Sequence, residues 1–233
     1  MLLCILGPTA SGKTALAARL ACACNGEVIS ADSRQVYRGM DIGTGKDLGD
    51  YIVDGKQVPV HLIDLVEPGY EYNIYEFQQD FLKVYSDILR RNKLPVLCGG
   101  SGMYLETVLK GYRLAAAPGD DEILNSLHDK SDTELTELLQ SYKTLHNITD
   151  LEDRSRLLKA ILIAQRSKIA EESNASAGFP EIESMIFGIS YPRELLKLRI
   201  TERLKNRLEG GMIAEVEELL RKGISPERLL KYG

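Results

Sequence analysis

The first fourteen residues carry the clearest chemistry in the chain. An apolar run over residues 1–6 ends in Gly7-Pro8-Thr9-Ala10-Ser11-Gly12-Lys13-Thr14, the G-x-x-x-x-G-K-[ST] phosphate-binding loop. The glycines let backbone N–H groups wrap an anion, and the start of a following helix adds a favourable dipole. Lys13 supplies a charge to the terminal phosphate, and the Thr14 hydroxyl is placed to bind Mg²⁺. We therefore expect a polyphosphate with Mg²⁺ here, although the motif does not say which polyphosphate.

A second candidate for chemistry is Asp32, which follows the second apolar run of the chain. Beside a P-loop, a carboxylate at this position either holds Mg²⁺ through water or acts as a general base on a nucleophile. The alternative interpretation is an Asx turn, because Asp and Ser are common after strands. The surrounding segment is distinctive and reads ISADSRQVYRGMDIGTGK over residues 29–46.

Alternating strand and helix patterns in the first half of the chain would bring these residues together. Short apolar runs predict strands at 2–6, 27–30, 58–63 and 94–98. Helices are predicted at 13–24, 74–91 and 101–111. This alternation predicts a P-loop NTPase-like α/β fold with a parallel sheet flanked by helices. Ligands bind at the carboxyl ends of such strands, so the loops 7–14, 31–35 and 99–102 should face one crevice.

The middle of the chain has a different pattern. Helical periodicity there predicts helices at 121–129, 132–142 and 152–170, and Ser131 or Asp132 is placed to cap the second of them. A last strand is predicted at 184–190, then a helix opened by Pro192 to about residue 209 and a further helix to Lys222. We therefore expect a core made of 1–112 and 184–233, with a small helical lobe, 113–183, inserted into it.

Composition limits the class of protein. The 233 residues are 44% hydrophobic and 27% charged, which is ordinary for a soluble globular protein. No stretch is as long as a membrane span and no signal peptide precedes the P-loop, so we expect a cytoplasmic protein. The four cysteines have no metal-site spacing, and we expect all of them to be reduced core residues: Cys4, Cys22, Cys24 and Cys98.

Charge argues mildly against a nucleic-acid partner, because the net charge is −5. Net charge is a weak guide where positive charge is local. Arg and Lys are concentrated over 154–168 and 193–207. The commoner meaning of such a run is a solvated helix face.

Further motifs follow the P-loop and the 29–46 segment in a fixed order. They are HLID at 61–64, YNIYEF at 72–77, PVLCGGSGMY at 95–104, DRSRLLKA at 153–160, and RELL at 193–196 with Arg199 and Arg203. Together these motifs resemble the tRNA dimethylallyltransferase (isopentenyltransferase) family over nearly the whole chain. The sequence departs from the family pattern at Gly45, where the family usually has Ala, and at Ser101, where it usually has Thr. It also ends inside a family motif, so we expect the basic C-terminal family region to be absent and tRNA binding to be weak.

The resemblance implies a reaction and a set of roles. The family transfers a dimethylallyl group from dimethylallyl diphosphate to N6 of an adenosine next to the tRNA anticodon. The P-loop would then hold the donor diphosphate with Mg²⁺ at Thr14. Arg203 would contact that diphosphate, and Arg199 is a second arginine that matches a diphosphate-contacting position of the family. Asp32 would be the catalytic base, with Ser101 also catalytic. The implied tRNA contacts are Asp32, Ser33, Arg34, Gln35, Ser155, Arg156 and Lys159. We expect a monomer that acts on the anticodon stem-loop and has no membrane partner.

Three other functions remain open on the residues alone. A P-loop small-molecule kinase would use ATP with the same loop and Asp32 as base, although no R-x-x-R lid pattern stands out beyond Arg154-x-Arg156. A nucleotide-binding module without catalysis is the second. A cytokinin-type prenyltransferase acting on free adenylate is the third, but the segment around Asp32 looks like the tRNA type.

Overall fold

The computed structural model describes residues 1–112, 114, 126–127, 129–142, 153–154, 157–158, 160–162, 164–165 and 179–232. The chain divides into two compact units. The first consists of Met1–Lys110 with Glu181–Gly233, and the second of Gly111–Pro180.

A five-stranded parallel sheet forms the centre of the first unit. The strands of this unit are β1 (Leu2–Leu6), β2 (Gly26–Ala31), β3 (Ile52–Val53), β4 (Lys56–Gln57), β5 (Val60–His61), β6 (Leu94–Gly99) and β7 (Ser184–Gly188). The order in the large sheet is β5-β2-β6-β1-β7, and every neighbouring pair in it is parallel. β6 therefore lies between β1 and β2, which puts the ends of these three strands side by side.

Helices flank this sheet, which confirms the predicted fold class. In the first unit they are α1 (Lys13–Ala23), α2 (Ile74–Arg90), α3 (Gly102–Leu109), α5 (Arg193–Glu209), α6 (Met212–Arg221) and α7 (Pro226–Leu230); α4 (Asp132–Tyr142) belongs to the second unit. A short 3₁₀ helix covers Leu48–Tyr51. No helix in the described ranges is long and apolar enough to cross a membrane.

The small residues of α1 bring it close to the sheet. Ala17, Ala18 and Ala21 are fully buried and pack in one cluster with strand residues that include Ile5 and Val96. Because alanine buries a methyl group without losing rotamer freedom, it suits a helix pressed flat against strands. This packing fixes the start of α1, and hence the P-loop, against the end of β1.

Some predicted elements differ from the observed ones. The strand expected at 58–63 is reduced to Val60–His61, because Leu62 and Asp64 take positive φ angles of 61° and 53° that end the extended backbone. The antiparallel β3–β4 pair was not predicted, although its Asp54-Gly55 turn is a known hairpin signal. The last strand stops at Gly188 rather than at residue 190.

The expectation that every cysteine lies in the core is wrong for one of them. Cys4 and Cys98 are buried and Cys22 is half-buried, but Cys24 is exposed. The reason is its position just past the last turn of α1, where it forms the C-cap. All four thiols are free.

The second unit contains the capped helix that the sequence predicts. The Ser131 N–H donates to Glu134 Oε2 at 2.8 Å and the Glu134 N–H donates to Ser131 Oγ at 3.3 Å, so Ser131 is the cap and a capping box is formed. Leu135 and Leu139 of α4 are fully buried and pack with Leu157 and Ile161. The helices predicted at 121–129 and 152–170 lie mostly outside the described residues.

Candidate active site

The loops after β1, β2 and β6 line one cleft of about 620 Å³. Residues 9–15 come from the P-loop and α1, Asp32 and Arg34 from the loop after β2, and Cys98 and Gly99 from the end of β6. This confirms the predicted common crevice for these residues. A loop over 43–47 and one side of α5 complete its walls.

The P-loop has the geometry that an anion requires. Gly12 is the N-cap of α1 with φ of 80°, a left-handed conformation that glycine adopts without a steric cost. The first N–H groups of a helix have no partner within it and are available to an anion. The Lys13 ammonium donates to the Pro8 carbonyl at 3.2 Å. Ser11 Oγ is buried and has no hydrogen-bond partner among the described residues. Gly7 and Pro8 lie behind Thr9 and do not line the cleft.

Asp32 lines the cleft and also makes a turn. Its Oδ1 accepts the N–H of Arg34 at 2.9 Å, which is the local contact of an Asx turn. No other hydrogen bond of Asp32 occurs within the described part of the chain, so Oδ2 is available to a ligand. The turn therefore fixes one oxygen of this carboxylate and leaves the other without a hydrogen bond within the described residues.

Ser101 lies beside Asp32 rather than in the cleft. It is the N-cap of α3, and its Oγ accepts the N–H of Ser33 at 2.9 Å and donates to Ser33 Oγ at 3.3 Å. Neither Ser33 nor Ser101 is among the residues that line the cleft. The Ser101 hydroxyl thus ties the loop after β6 to the loop that carries Asp32, and a direct catalytic role stays a prediction.

The predicted tRNA contacts have different surroundings. Gln35 is buried; its Nε2 donates to the Gly45 carbonyl at 3.1 Å and its Oε1 accepts from Ser30 Oγ at 3.0 Å. Arg34 is exposed and lies 5.9 Å from the ring centre of Tyr232. Three other predicted contacts, Ser155, Arg156 and Lys159, lie outside the described residues.

Three arginines of α5 face the cleft. Arg199 Nε donates to the Ala10 carbonyl of the P-loop at 2.8 Å. Arg203 pairs with Asp47 and donates to the Gly45 carbonyl at 3.4 Å. Arg207 lines the cleft one turn further on. The interpretation of this charge run as a solvated face is wrong for all three arginines, because their i, i+4, i+8 spacing puts them on one side of the helix.

Sequence reasoning missed several residues of the cleft, namely Asp47, Asp50, Glu202 and Arg207. The signal that could have found Arg207 is its spacing of four from Arg203 and eight from Arg199. Its Nε and Nη2 atoms are buried with no hydrogen-bond partner in the described ranges. Burial, and then the like charge of Arg203, lower the pKa of Arg207.

Charge in the cleft is mixed. Its cationic side chains are Lys13, Arg34, Arg199, Arg203 and Arg207, and its carboxylates are Asp32, Asp47, Asp50 and Glu202. Burial, and then the neighbouring Asp47, raise the pKa of Asp50. Burial raises the pKa of the Cys98 thiol to about 12, so this cysteine is not a nucleophile near neutral pH.

A glutamate from α6 holds the loop that borders the cleft. Glu215 Oε2 accepts the N–H groups of Asp41 at 2.7 Å and Ile42 at 2.8 Å, and its Oε1 accepts that of Gly43 at 2.9 Å. Lys46 in the same loop is only 2% exposed. Its ammonium donates to the Tyr37 carbonyl at 2.6 Å, to Asp41 at 2.8 Å and to Asp64. The loop is therefore anchored from several directions.

The donor atoms of the cleft fit Mg²⁺. The Thr14 hydroxyl and the carboxylates of Asp32 and Asp50 line it together, and Mg²⁺ prefers such oxygen ligands. No group of three His, Cys, Asp or Glu side chains that could hold a metal occurs in the part of the chain that is described.

Two family models of isopentenyl-transferring enzymes together match the chain from the P-loop to its last described residue. A family model described as IPP transferase matches residues 35–232, and one described as isopentenyl transferase matches residues 1–58. A protein named tRNA dimethylallyltransferase 2 from Phocaeicola vulgatus is 55% identical over the whole chain, which covers 75% of that relative. A protein named tRNA dimethylallyltransferase 1 from Geotalea uraniireducens is 52% identical, also with 75% of its length covered.

Solved structures agree with the sequence matches. The crystal structure of a tRNA Δ²-isopentenylpyrophosphate transferase from Staphylococcus epidermidis aligns with a TM-score of 0.62 and 32% identity, over 97% of this chain and 75% of that one. A eukaryotic dimethylallyltransferase described as acting on tRNA aligns with a TM-score of 0.74 and 25% identity, over 97% of this chain and 58% of its own.

Proposed function

The chain belongs to the IPP transferase family, and from this we propose that it transfers a dimethylallyl group from dimethylallyl diphosphate to N6 of an adenosine next to the tRNA anticodon. The observation that carries the proposal is the single cleft in which the P-loop, Asp32 and the arginines of α5 come together. A diphosphate clamp and a carboxylate base are the two groups that this reaction requires.

The P-loop and α5 bind the donor. The N–H groups at the start of α1, the Lys13 ammonium and the Ser11 hydroxyl surround the diphosphate, with Arg203 on the opposite wall. As the C–O bond of the donor breaks, negative charge grows on the departing diphosphate. Cations placed in advance around that group stabilise the charge, because they need no rearrangement when it forms. Arg199, which is bonded to the Ala10 carbonyl, keeps the P-loop in position for this contact.

Magnesium would be held by the Thr14 hydroxyl, with Asp32 or Asp50 within the same cleft. When bound, it neutralises phosphate charge and so makes diphosphate a better leaving group.

Asp32 accepts the proton. The exocyclic N6 of adenosine is a weak nucleophile, and it must lose a proton as its new bond to the dimethylallyl carbon forms. The proton goes to Asp32 Oδ2, while Oδ1 remains bonded to the Arg34 N–H and fixes the orientation of the carboxylate. Ser101 acts through Ser33 to hold this loop in place. The products are N6-dimethylallyladenosine in the RNA and diphosphate.

The target adenosine must leave its stacked position to reach Asp32, as in other enzymes that modify a base. Arg34, exposed at the cleft, is the described side chain best placed to meet the RNA. Ser155, Arg156 and Lys159, which lie outside the described residues, remain predicted contacts with the RNA.

Release of diphosphate tests the proposal. The chain is incubated with dimethylallyl diphosphate, Mg²⁺ and an anticodon stem-loop RNA, and free diphosphate is measured. We expect release only when donor and RNA are both present, and none with an RNA that has guanosine in place of the target adenosine. Release that ignores the RNA, or phosphate transfer from ATP, would refute the proposal.

A further inference from the structure

Two neighbouring arginines of α5, Arg203 and Arg207, lie together in the wall of the cleft. The Nη2 atoms of Arg203 and Arg207 both approach the same point beside Gly45, at 2.6 Å and 1.6 Å from where a Cβ on that glycine would lie. Arg203 has Asp47 as its partner, whereas Nε and Nη2 of Arg207 are buried without one in the described ranges. A buried cation that lacks hydrogen-bond acceptors is costly unless a ligand supplies them.

Gly45 leaves free the space that the Arg207 guanidinium occupies. Its φ is 70°, and the Arg207 guanidinium occupies the space that any other side chain would fill. An Ala in the same backbone would overlap Arg207 Nη2 and would also strain the left-handed conformation.

We propose that Arg207, admitted by Gly45, is a donor-binding residue that forms a two-arginine clamp with Arg203 on the terminal phosphate of the bound diphosphate. This inference rests on the proposed function and adds to it a binding residue and a specificity position. The clamp gives oxygens of the terminal phosphate a pair of charged donors in addition to those of the P-loop. Such contacts are among the stronger hydrogen bonds in proteins.

The burial of the Arg207 donors favours diphosphate over an RNA phosphate. Nε and Nη2 are enclosed in the wall of the P-loop cleft, beside the loop that Glu215 anchors. Arg207 itself lines the cleft, so a small anion that enters can approach its guanidinium and draw these donors toward it, whereas a phosphate of an RNA backbone would have to enter with its sugar and neighbouring nucleotides.

The test compares Arg207→Met with Lys205→Met. Both replace a cation on α5 by the same side chain, but Lys205 is exposed and does not line the cleft. The parent and both variants are titrated with inorganic diphosphate by calorimetry, and their melting temperatures check the fold. We expect Arg207→Met to weaken diphosphate binding by about 10- to 100-fold, as for the loss of hydrogen bonds to a charged group. Lys205→Met should bind as the parent does.

A double-mutant cycle with Gly45→Ala tests whether Gly45 acts by leaving space for Arg207. Gly45→Ala should weaken diphosphate binding in the parent, and should weaken it less in the Arg207→Met background, where the overlap with Arg207 is gone and only the smaller overlap with Arg203 Nη2 and the strain of the left-handed backbone remain. An equal effect in both backgrounds would show that Gly45 does not act through Arg207.

The outcomes distinguish failure of the two-arginine clamp from failure of the proposed function. A parent chain that binds neither diphosphate nor dimethylallyl diphosphate refutes the proposed function. A parent that binds diphosphate while Arg207→Met binds it equally well overturns the clamp and leaves the function in place. Weaker binding of anticodon stem-loop RNA by Arg207→Met, with diphosphate binding unchanged, would assign the arginine to RNA and also overturn the clamp.

Discussion

Asp32 shows how a single residue can be both structural and chemical. Its Oδ1 makes the turn to Arg34 while the side chain lines the cleft, so the two interpretations offered by the sequence are compatible. The carboxylate could be found from its place after a buried strand. Arg207 could not be assigned in the same way, because a charge run on a helix looks the same whether it faces water or a cleft.

Asp32→Asn separates the two roles of Asp32. The amide keeps an acceptor for the Arg34 N–H but cannot take a proton from N6. We expect turnover to fall by about 10²- to 10⁴-fold, as for loss of a general base, with diphosphate affinity close to that of the parent. Asp54→Asn, on the exposed β3–β4 turn, is the matched control and should turn over normally. Full activity of Asp32→Asn would exclude Asp32 as the base.

Ser101→Ala tests whether the Ser101 hydroxyl acts directly or by positioning. The variant removes the acceptor of the Ser33 N–H. A positioning role predicts faster hydrogen exchange at Ser33 together with reduced turnover, and recovery of both in Ser101→Thr, which keeps the hydroxyl. Reduced turnover with unchanged exchange at Ser33 would instead favour direct contact with the substrate.

The loop over 41–47, which forms part of the cleft wall, is held in place by a long-range contact. Glu215 binds three successive N–H groups of this loop from 172 or more residues away in the chain. Nothing local in either segment predicts this contact, because long-range pairing leaves no periodic pattern. The P-loop, in contrast, could be recognised from its own residues, although its contact with Arg199 could not.

Removal of the Glu215 carboxylate should loosen that loop. In Glu215→Ala the N–H groups of residues 41–43 lose their acceptor, so we expect faster hydrogen exchange there and a raised KM for the donor. Glu217→Ala, an exposed change on the same helix, is the control. Unchanged protection at residues 41–43 would show that other contacts, such as those of Lys46, are sufficient to hold the loop.

A second cluster of charges joins β2 to α2 at the end of the sheet away from the cleft. Glu27 is buried on β2; it accepts from Arg91, Lys93 and His61. The hydrogen bond from Arg91 is the main reason that the pKa of Glu27 is lowered to about 2, with His61 and Lys93 also contributing. The ordinary value is 4.5.

The pH dependence of stability follows from this lowered pKa. The contribution of ionised Glu27 is fully present above about pH 4.5 and is lost as pH falls toward 2, because the unfolded chain takes up the proton first. We expect Glu27→Gln to unfold about 1–3 kcal/mol more easily than the parent at neutral pH. Chemical denaturation at a series of pH values should show that difference shrinking below pH 4.5. A difference that stays constant down to pH 2 would contradict the lowered pKa.

At the scale of the whole molecule, the class of the fold could be predicted but the strand order could not. Strand and helix patterns alternate along the chain and indicate a parallel sheet. The order β5-β2-β6-β1-β7 depends on which distant strands pair, and each strand is a short apolar run with little to distinguish its neighbours. This order nevertheless determines the site, because it puts the ends of β1, β6 and β2 side by side.

Ligand selectivity is a property of this assembled cleft. A ligand present at 100 times its Kd raises the free energy of unfolding by about 2.7 kcal/mol. We expect inorganic diphosphate and dimethylallyl diphosphate to raise the melting temperature, and ATP at the same concentration to raise it less. Lys13→Ala should abolish the shift. Equal stabilisation by ATP, together with phosphate transfer to a small molecule, would favour the kinase alternative.

The most direct measurement is mass spectrometry of nucleosides from tRNA that lacks the modification, after incubation with this chain, dimethylallyl diphosphate and Mg²⁺. We predict that adenosine next to the anticodon gains one C₅H₈ unit on N6, that Asp32→Asn gives little or none of this product, and that ATP cannot replace the donor. Adenosine that remains unmodified in tRNA while free adenylate is prenylated, or modification that is unaffected in Asp32→Asn, would contradict the assignment of substrate or of base.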